Sequence, residues 1–437
     1  MNALVLSCGG SPEPLEFCIK NLKPDCVYFL CSDASVEIAE VIQEKFENEV
    51  SQFNVKVIEN PSNLDDCFAR SREVISELQN DYDNIHIDFT GGTKPMVSGL
   101  VLAAISDECT YSYVGTDNLE GRDKDGLGVV RDGFEAIIEQ KNPYDVFAVV
   151  EMDRGVEFFN KYQFTASKQS FKEALDKLES EELKRICEIN IKIIDLYDLW
   201  DKFNNTDSEK KTLNSILANI QSEINQSGEV KNYFNKNYPE FLSQMSQNTE
   251  FLKLKISRKG RMKTGDVKYY LPDLLNNAYR RIEEGKYDDA VARLYRSIEL
   301  TAQLGLTNHE VIDSNVLFDN SVFKINKHDL NSKCKIEVDE LVREWYEYNE
   351  SEKTFKIPLK KSFELLQALG SDYATQYLED EEIKNNISSR NNSILAHGLN
   401  AIDKNKALEL YDQVFDYAKK VFPEIGTYYK MSKFPKF

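Results

Sequence analysis

Apolar and polar positions alternate along the first quarter of this chain in a rhythm that the remainder does not share. Apolar runs at 3–7, 26–31, 54–58, 84–89 and 110–114 predict strands. Between them, 14–22, 35–50, 63–79 and 95–106 carry helical spacing, as in Leu64, Phe68, Val74, Ile75 and Leu78. A strand–helix rhythm of this kind predicts a parallel sheet with helices on both faces and right-handed crossovers, a Rossmann-like α/β domain. From Thr116 to Asp132 the chain is rich in Gly and Asp, which predicts a loop or hairpin ending the pattern.

Beyond Val150 the strand signal fades. Residues 151–250 carry helical patterns broken by polar spacers such as Asn204-Asn205-Thr206-Asp207-Ser208, where Asp207 or Ser208 could cap a helix. Helical spacing resumes from Leu271 to Leu306 and from 336 to 422, after a linker around Lys259-Gly260-Arg261. The passages Tyr162…Ala166 and Tyr287…Ala290 share no fixed period, so no repeat array is predicted. The organisation expected is therefore an α/β domain over 1–150, an all-α connector over 151–255 and a second all-α domain over 256–437.

A length of 437 residues fits two or three domains, and a 41% hydrophobic content suffices for packed cores. No stretch approaches the roughly 20 apolar residues of a membrane span, and Met1–Leu6 runs into a strand pattern without a basic leader. Eight scattered cysteines without a Cys-x-x-Cys pair suit reduced thiols, and the expected location is the cytoplasm. None of the four histidines, 86, 309, 328 and 397, pairs with another His or Cys at metal-ligand spacing, so no metal site is expected. His86 sits in the strand pattern Ile85-His86-Ile87-Asp88-Phe89 and reads as structural. A net charge of -20 opposes general binding of double-stranded DNA, since that affinity comes chiefly from phosphate neutralisation. One stretch departs from this balance. Lys253, Lys255, Arg258, Lys259, Arg261, Lys263 and Lys268 stand against Asp266 alone, either as a solvated loop or as an RNA-facing edge.

Two loops of the first domain carry candidate binding chemistry. Ser7-Cys8-Gly9-Gly10-Ser11-Pro12-Glu13-Pro14 follows the first strand, and Thr90-Gly91-Gly92-Thr93-Lys94-Pro95-Met96 follows the fourth. A sheet that winds outward from strand 1 and then reverses makes strands 1 and 4 neighbours, so both loops flank the switch-point crevice where such sheets bind ligands. Glycine pairs admit a phosphate close to the backbone, and each loop feeds a helix N-terminus, which favours anions. Ser11, Thr90 and Thr93 add hydroxyls and Lys94 a positive charge. Neither loop is a P-loop or a Gly-x-Gly-x-x-Gly fingerprint. Asp33, at the end of strand 2, could meet a ribose hydroxyl, although a turn or cap role suits it better.

These residues, with Asp88-Phe89 ahead of the second loop, resemble the CARF domain of type III CRISPR-associated effectors. The resemblance implies a sensor that binds a cyclic oligoadenylate messenger, of four or six adenylates, across a dimer axis. It implies Gly9, Gly10, Ser11, Thr90, Gly91, Gly92, Thr93 and Lys94 as messenger contacts, and no cofactor beyond that activator.

Near the other end stands Ser388-Ser389-Arg390-Asn391-Asn392-Ser393-Ile394-Leu395-Ala396-His397-Gly398. On a helix Arg390 and His397 are two turns apart and only about 20° out of register. Metal-free RNA cleavage needs a group to take the 2′-hydroxyl proton, one to protonate the leaving oxygen, and positive charge at the phosphate. Histidine suits the proton roles and arginine the phosphate. With Asn391, this set resembles the HEPN ribonuclease motif, an Arg, a polar residue and a His after a gap at the long end of the usual range. Tyr279–Glu299 resembles the opening helices of the HEPN part of a CARF–HEPN subfamily, where Arg293, Arg296 and Glu299 either support the site or serve helix packing.

Together the resemblances imply a homodimeric, metal-independent endoribonuclease of antiviral defence, switched on by cyclic oligoadenylate and cutting single-stranded RNA to leave a 2′,3′-cyclic phosphate. Arg390, Asn391 and His397 are the implied catalytic residues. A messenger-binding protein whose helical part binds RNA or a partner without cutting is the alternative, and a nucleotide-dependent oxidoreductase a distant third.

Overall fold

A computed structural model of the chain describes residues 1–118, 120–122, 130–131, 133–256, 263–311, 324–326, 348–349, 354–389 and 400–437. They fall into two compact units, residues 1–153 with 173–184, and residues 154–172 with 185–437.

The first unit is built on a six-stranded sheet. Its strands are β1 (Asn2–Ser7), β2 (Cys26–Cys31), β3 (Gln52–Val57), β4 (Asn84–Asp88), β5 (Cys109–Gly115) and β6 (Ala136–Gln140), in the order β3-β2-β1-β4-β5-β6. The crossover helices are α1 (Glu13–Leu22), α2 (Val36–Phe46), α3 (Leu64–Asp81) and α4 (Lys94–Ala104). The expected Rossmann-like fold is what forms, with strands 1 to 5 parallel. Ala3–Leu6 and Val27, Phe29, Leu30 and Cys31 are buried because these strands are covered on both faces, hence their unbroken apolar runs. The sheet packs Val5, Leu30, Ile85, Ile87 and Tyr111 towards α3 and α4, and Leu4, Leu6, Phe29, Cys31 and Val114 towards α1 and α2.

Two details depart from the pattern read along the chain. The segment after the Gly/Asp-rich loop adds β6, which runs antiparallel to β5, with Val114 opposite Ile137. On α3 the core face is Cys67, Ser71, Val74, Ile75 and Leu78, whereas Leu64 and Phe68 are 44% and 41% exposed. The helix turns these two away because α4 approaches at Cys67. A Cβ on Gly99 would lie 2.7 Å from the Cys67 Cβ, so the helices meet backbone to backbone there.

The rest is mainly helical: α5 (Pro143–Val146), α6 (Val149–Asn160), α7 (Phe164–Lys177), α8 (Glu181–Asp201), α9 (Leu213–Gln226), α10 (Gly228–Asn237), α11 (Pro239–Lys255), α12 (Val267–Glu283), α13 (Tyr287–Asn308), α14 (Leu359–Ala368), α15 (Asp372–Glu379), α16 (Glu381–Ser389), α17 (Lys404–Val421) and α18 (Ile425–Met431). A small antiparallel sheet of Lys324–Asn326, Thr354–Lys356 and Tyr348–Asn349 lies between α13 and α14 in the chain. One core joins α12, α13, α14, α15 and α17 through Leu271, Leu275, Leu294, Ile298, Phe363, Leu366, Tyr377, Leu410 and Val414. No helix among the described residues is long and apolar enough to cross a membrane.

The basic stretch at 253–268 resolves in part. Lys255 is no RNA-facing cation. Its ammonium is fully buried, 2.5 Å from Asp273, which also accepts from the Trp200 indole at 3.0 Å, and it lies over the rings of Phe203 and Tyr270. Lys253 pairs with Glu250 at the surface, and Arg258, Lys259 and Arg261 lie outside the described residues.

Candidate functional site

β1 and β4 are parallel neighbours, with Leu6 beside Asp88, so the loops leaving them emerge side by side at the carboxyl edge of the sheet. β1 connects onward to β2 on one side and β4 to β5 on the other, which makes this the point where the winding reverses. The two loops touch. Ser7 Oγ donates to the Gly91 carbonyl at 2.5 Å. A Cβ on Gly91 would lie 2.5 Å from the Ser7 carbonyl oxygen, and one on Gly9 would lie 2.7 Å from the Gly92 nitrogen. Gly92 adopts φ +94°, a left-handed value that a side chain resists. Gly9, Gly91 and Gly92 are thus required by loop against loop. Gly10 is different. It is exposed and a Cβ there would meet nothing within 4 Å, so its backbone is open to a ligand. Gly91→Ala is expected to part the loops and to abolish ligand binding by the first domain while Gly10→Ala leaves them in contact, a contrast measurable by titrating both variants with the same ligand.

The polar side chains divide in the same way. Thr90 donates its N–H to Asp88 Oδ1 at 3.0 Å, and its hydroxyl accepts from Val114 N at 2.6 Å. Thr93 caps α4, accepting from Met96 N at 3.3 Å and donating to the Pro61 carbonyl at 2.5 Å. Both threonines brace the loop. Ser11 and Lys94 are exposed, and Lys94 makes no ion pair among the described residues. Of the two helix starts, α4 favours an anion more. Its first turn has no acidic residue, whereas α1 begins with Glu13 and Glu16 and without a capping side chain. Asp33 is exposed at the start of a single 3-10 turn whose cap is the Ser32–Ser35 pair, as a turn role requires.

Side chains of β4 and β5 hold the second loop from below. Asp88 is fully buried and accepts from Thr90 N and, at 2.9 Å, from Ser112 Oγ. Ser112 meets His86 Nε2 at 2.8 Å, and His86 Nδ1 meets Thr110 Oγ1 at 2.8 Å. Burial pushes the His86 pKa down, so the ring is neutral near pH 7 and acts as a link in this chain. A charged residue ending an apolar strand was the one available signal.

In the second unit Arg390, Asn391 and His397 lie outside the described residues, as does His328. α16 leads to the motif, and Asn386 Nδ2 ties that helix to Gln413 Oε1 of α17 at 3.1 Å. Arg293 is held by Asn277 and by Asp289, the latter at 3.1 Å, and Arg296 by Glu299 at 2.9 Å. Asn277 also donates to Asp201, which takes Arg280 Nε at 2.8 Å and Arg281 Nη2 at 2.6 Å. His309 is fixed by Ser371 Oγ at 2.7 Å. No group of three or more His, Cys, Asp or Glu side chains converges on a metal position among the described residues.

Comparison with known proteins adds the following. Residues 259–420 match the family model described as the Csm6 HEPN domain. No curated protein matches the chain. Among solved structures, Enterococcus italicus Csm6 bound to cyclic hexa-2'-fluoro-hexa-dAMP is 13% identical, over 99% of this chain and 98% of that one, with a TM-score of 0.48. Can2 from Sulfobacillus thermosulfidooxidans in complex with cyclic tetra-adenylate is 12% identical over 46% and 66% of the two chains, with a TM-score of 0.24. The matched segment spans α12 to α17 and contains Arg390, Asn391 and His397. Residues 259–420 of the chain are thus similar to the Csm6 HEPN domain, and the rest of the chain lies outside that match.

Proposed function

We propose that this protein is a cytoplasmic endoribonuclease of type III CRISPR defence that cuts single-stranded RNA when its N-terminal domain binds a cyclic oligoadenylate. The observation that carries this reading is the Csm6 HEPN match over a segment containing Arg390-Asn391…His397, in a chain whose α/β domain opens two touching glycine loops at a sheet switch point. In this reading His397 handles the protons of 2′-oxygen attack and leaving-group departure. Arg390 neutralises the phosphate, Asn391 orients it, and the product end is a 2′,3′-cyclic phosphate formed without a metal ion. Domains are assigned as 1–150 for sensing, 151–255 for connection and 256–437 for cutting.

At the sensor, Gly10, Ser11 and Lys94 meet the messenger, on loops shaped by Gly9, Thr90, Gly91, Gly92 and Thr93. Lys94→Ala is expected to raise the messenger concentration needed for half-activation by roughly tenfold to a hundredfold, the worth of a charge-assisted contact of about 1.5–3 kcal/mol. The test is a fluorogenic RNA assay titrated with cyclic tetra- and hexa-adenylate, which also reports ring size. An RNA left intact at every messenger concentration would favour a binding protein that does not cut.

One chain supplies a single Arg390–His397 pair, whereas the reaction needs a proton acceptor and a proton donor at one phosphate. A two-fold homodimer supplies both, and its axis suits a symmetric cyclic ligand. A mixed dimer of wild-type and His397→Ala chains, purified through two different tags, should retain far less than half of wild-type activity. Retention of half would mean that each subunit cuts alone.

A further inference from the structure

The second unit holds a cleft of about 370 Å³ that plays no part in the reading above, within the size range of small-ligand sites. Its floor is the network on Asp201, and its walls are the first turn of α7, the end of α8 and the turn between α12 and α13. What matters is the balance of donors and acceptors. Lys202, Arg281, Lys286 and Arg293 line it against Asp198, Asp201 and Glu284. Each of those carboxylates is ion-paired: Asp198 with Lys202 at 2.6 Å, Asp201 with Arg280 and Arg281, and Glu284 with Arg281 at 2.8 Å and Lys286 at 2.9 Å, although Glu284 Oε2 accepts no hydrogen bond among the described residues.

The donors are not exhausted. Each lysine ammonium keeps donors beyond those its carboxylate takes. Arg281 is only 8% exposed, and its Nε has no hydrogen-bond partner among the described residues. Among the described residues the backbone N–H groups of Phe164, Thr165 and Ala166 also have no backbone acceptor, because α7 makes its first backbone bond at Ser167, to Gln163. That turn carries no acidic residue, so the positive end of a 14-residue helix faces a cleft with surplus donors.

We propose that this cleft binds a phosphate group, carried by a small nucleotide or by the end of an oligonucleotide. A phosphate monoester dianion is an acceptor-only group, which is what a site with ion-paired carboxylates and surplus N–H and ammonium donors lacks. The Tyr162 ring beside the first turn of α7 gives an attached base or sugar an apolar surface.

The full chain is titrated calorimetrically with 5′-AMP, with adenosine, and with a 5′-phosphorylated deoxytrinucleotide, which has no 2′-hydroxyl to be attacked. Two variants report on the site. Thr165→Glu places an exposed carboxylate in the first turn of α7, where it favours the helix while repelling an anion. Lys286→Gln removes an exposed ammonium. Thermal unfolding of both should match wild type. Wild type is expected to bind 5′-AMP saturably and at least tenfold more tightly than adenosine, and both variants should lose at least tenfold. Tighter binding of the trinucleotide than of 5′-AMP would identify the source as an oligonucleotide end, and the reverse a free nucleotide. Equal binding of AMP and adenosine, or unchanged AMP binding by both folded variants, would overturn the proposal. Cyclic oligoadenylate binding, unaltered in both variants, separates this cleft from the sensor loops.

Discussion

Replacing His397 by alanine is expected to remove at least about two orders of magnitude of RNA cleavage, the usual worth of a positioned general acid–base group, while messenger binding stays intact. Neither of the two described histidines belongs to such a motif. His86 is held between Ser112 and Thr110 in the α/β unit, and His309 is bonded through Nε2 to Ser371. The measurement is a fluorogenic RNA assay in chelator-treated buffer, paired with calorimetric titration of the messenger. A DNA strand of the same sequence should resist cutting, since it lacks the attacking 2′-hydroxyl. Near wild-type cleavage by the variant, or efficient cutting of the DNA, would move the chemistry to other residues.

The second large effect concerns stability. Asp273→Ala should destabilise the helical unit by about 3–5 kcal/mol, because it strands the fully buried Lys255 ammonium and the Trp200 indole N–H together. Against a typical domain stability of about 5–15 kcal/mol, that loss is a large share of the whole. Denaturant unfolding followed by Trp fluorescence reads it directly, since Trp200 stacks between Tyr197 and Phe251 in the same core. The double variant Lys255→Met, Asp273→Leu should recover much of the loss, because apolar residues of similar volume leave no uncompensated charge. A single variant as stable as wild type would show that the Lys255 ammonium finds other partners at little cost.

Much of the first domain was legible because its cause is local. Unbroken apolar runs mark strands covered on both faces, and the Gly-rich loops mark where the chain turns at the sheet edge. The placement of β1 beside β4 follows from the reversal of winding alone. β6 was hidden because Ala136–Gln140 makes an antiparallel edge, outside the strand–helix rhythm, and earns its place only by pairing with β5. Leu64 and Phe68 misled because apolar spacing does not say which way a helix is turned, and Gly99 of α4 decides that by admitting Cys67. Lys255 lay in a run of cations that looked uniform along the chain. Only the fold brings Asp273 of the next helix to it, so its burial could not be read from composition.

The glycines teach the complementary point. All four of Gly9, Gly10, Gly91 and Gly92 looked alike as phosphate-approach positions. Three of them are occupied by the contact between the loops, and Gly10 alone faces open space. Thr93 likewise reads as a hydroxyl donor in the sequence, yet its oxygen is spent on capping α4 and on Pro61. A glycine-rich loop of this kind uses much of its chemistry on its own shape.

The distribution of sulfur gives the molecule an unplanned set of internal clocks. All seven described cysteines are free and buried, six of them in the α/β unit and Cys187 in the helical unit. Burial pushes the thiols of Cys109 and Cys187 up to about 12, so the nucleophilic thiolate is scarce as well as shielded. An alkylating reagent reaches such sulfur only when the surrounding structure opens. The pace of modification at each site is therefore a readout of local opening, with the α/β unit and the helical unit timed separately in a single native sample.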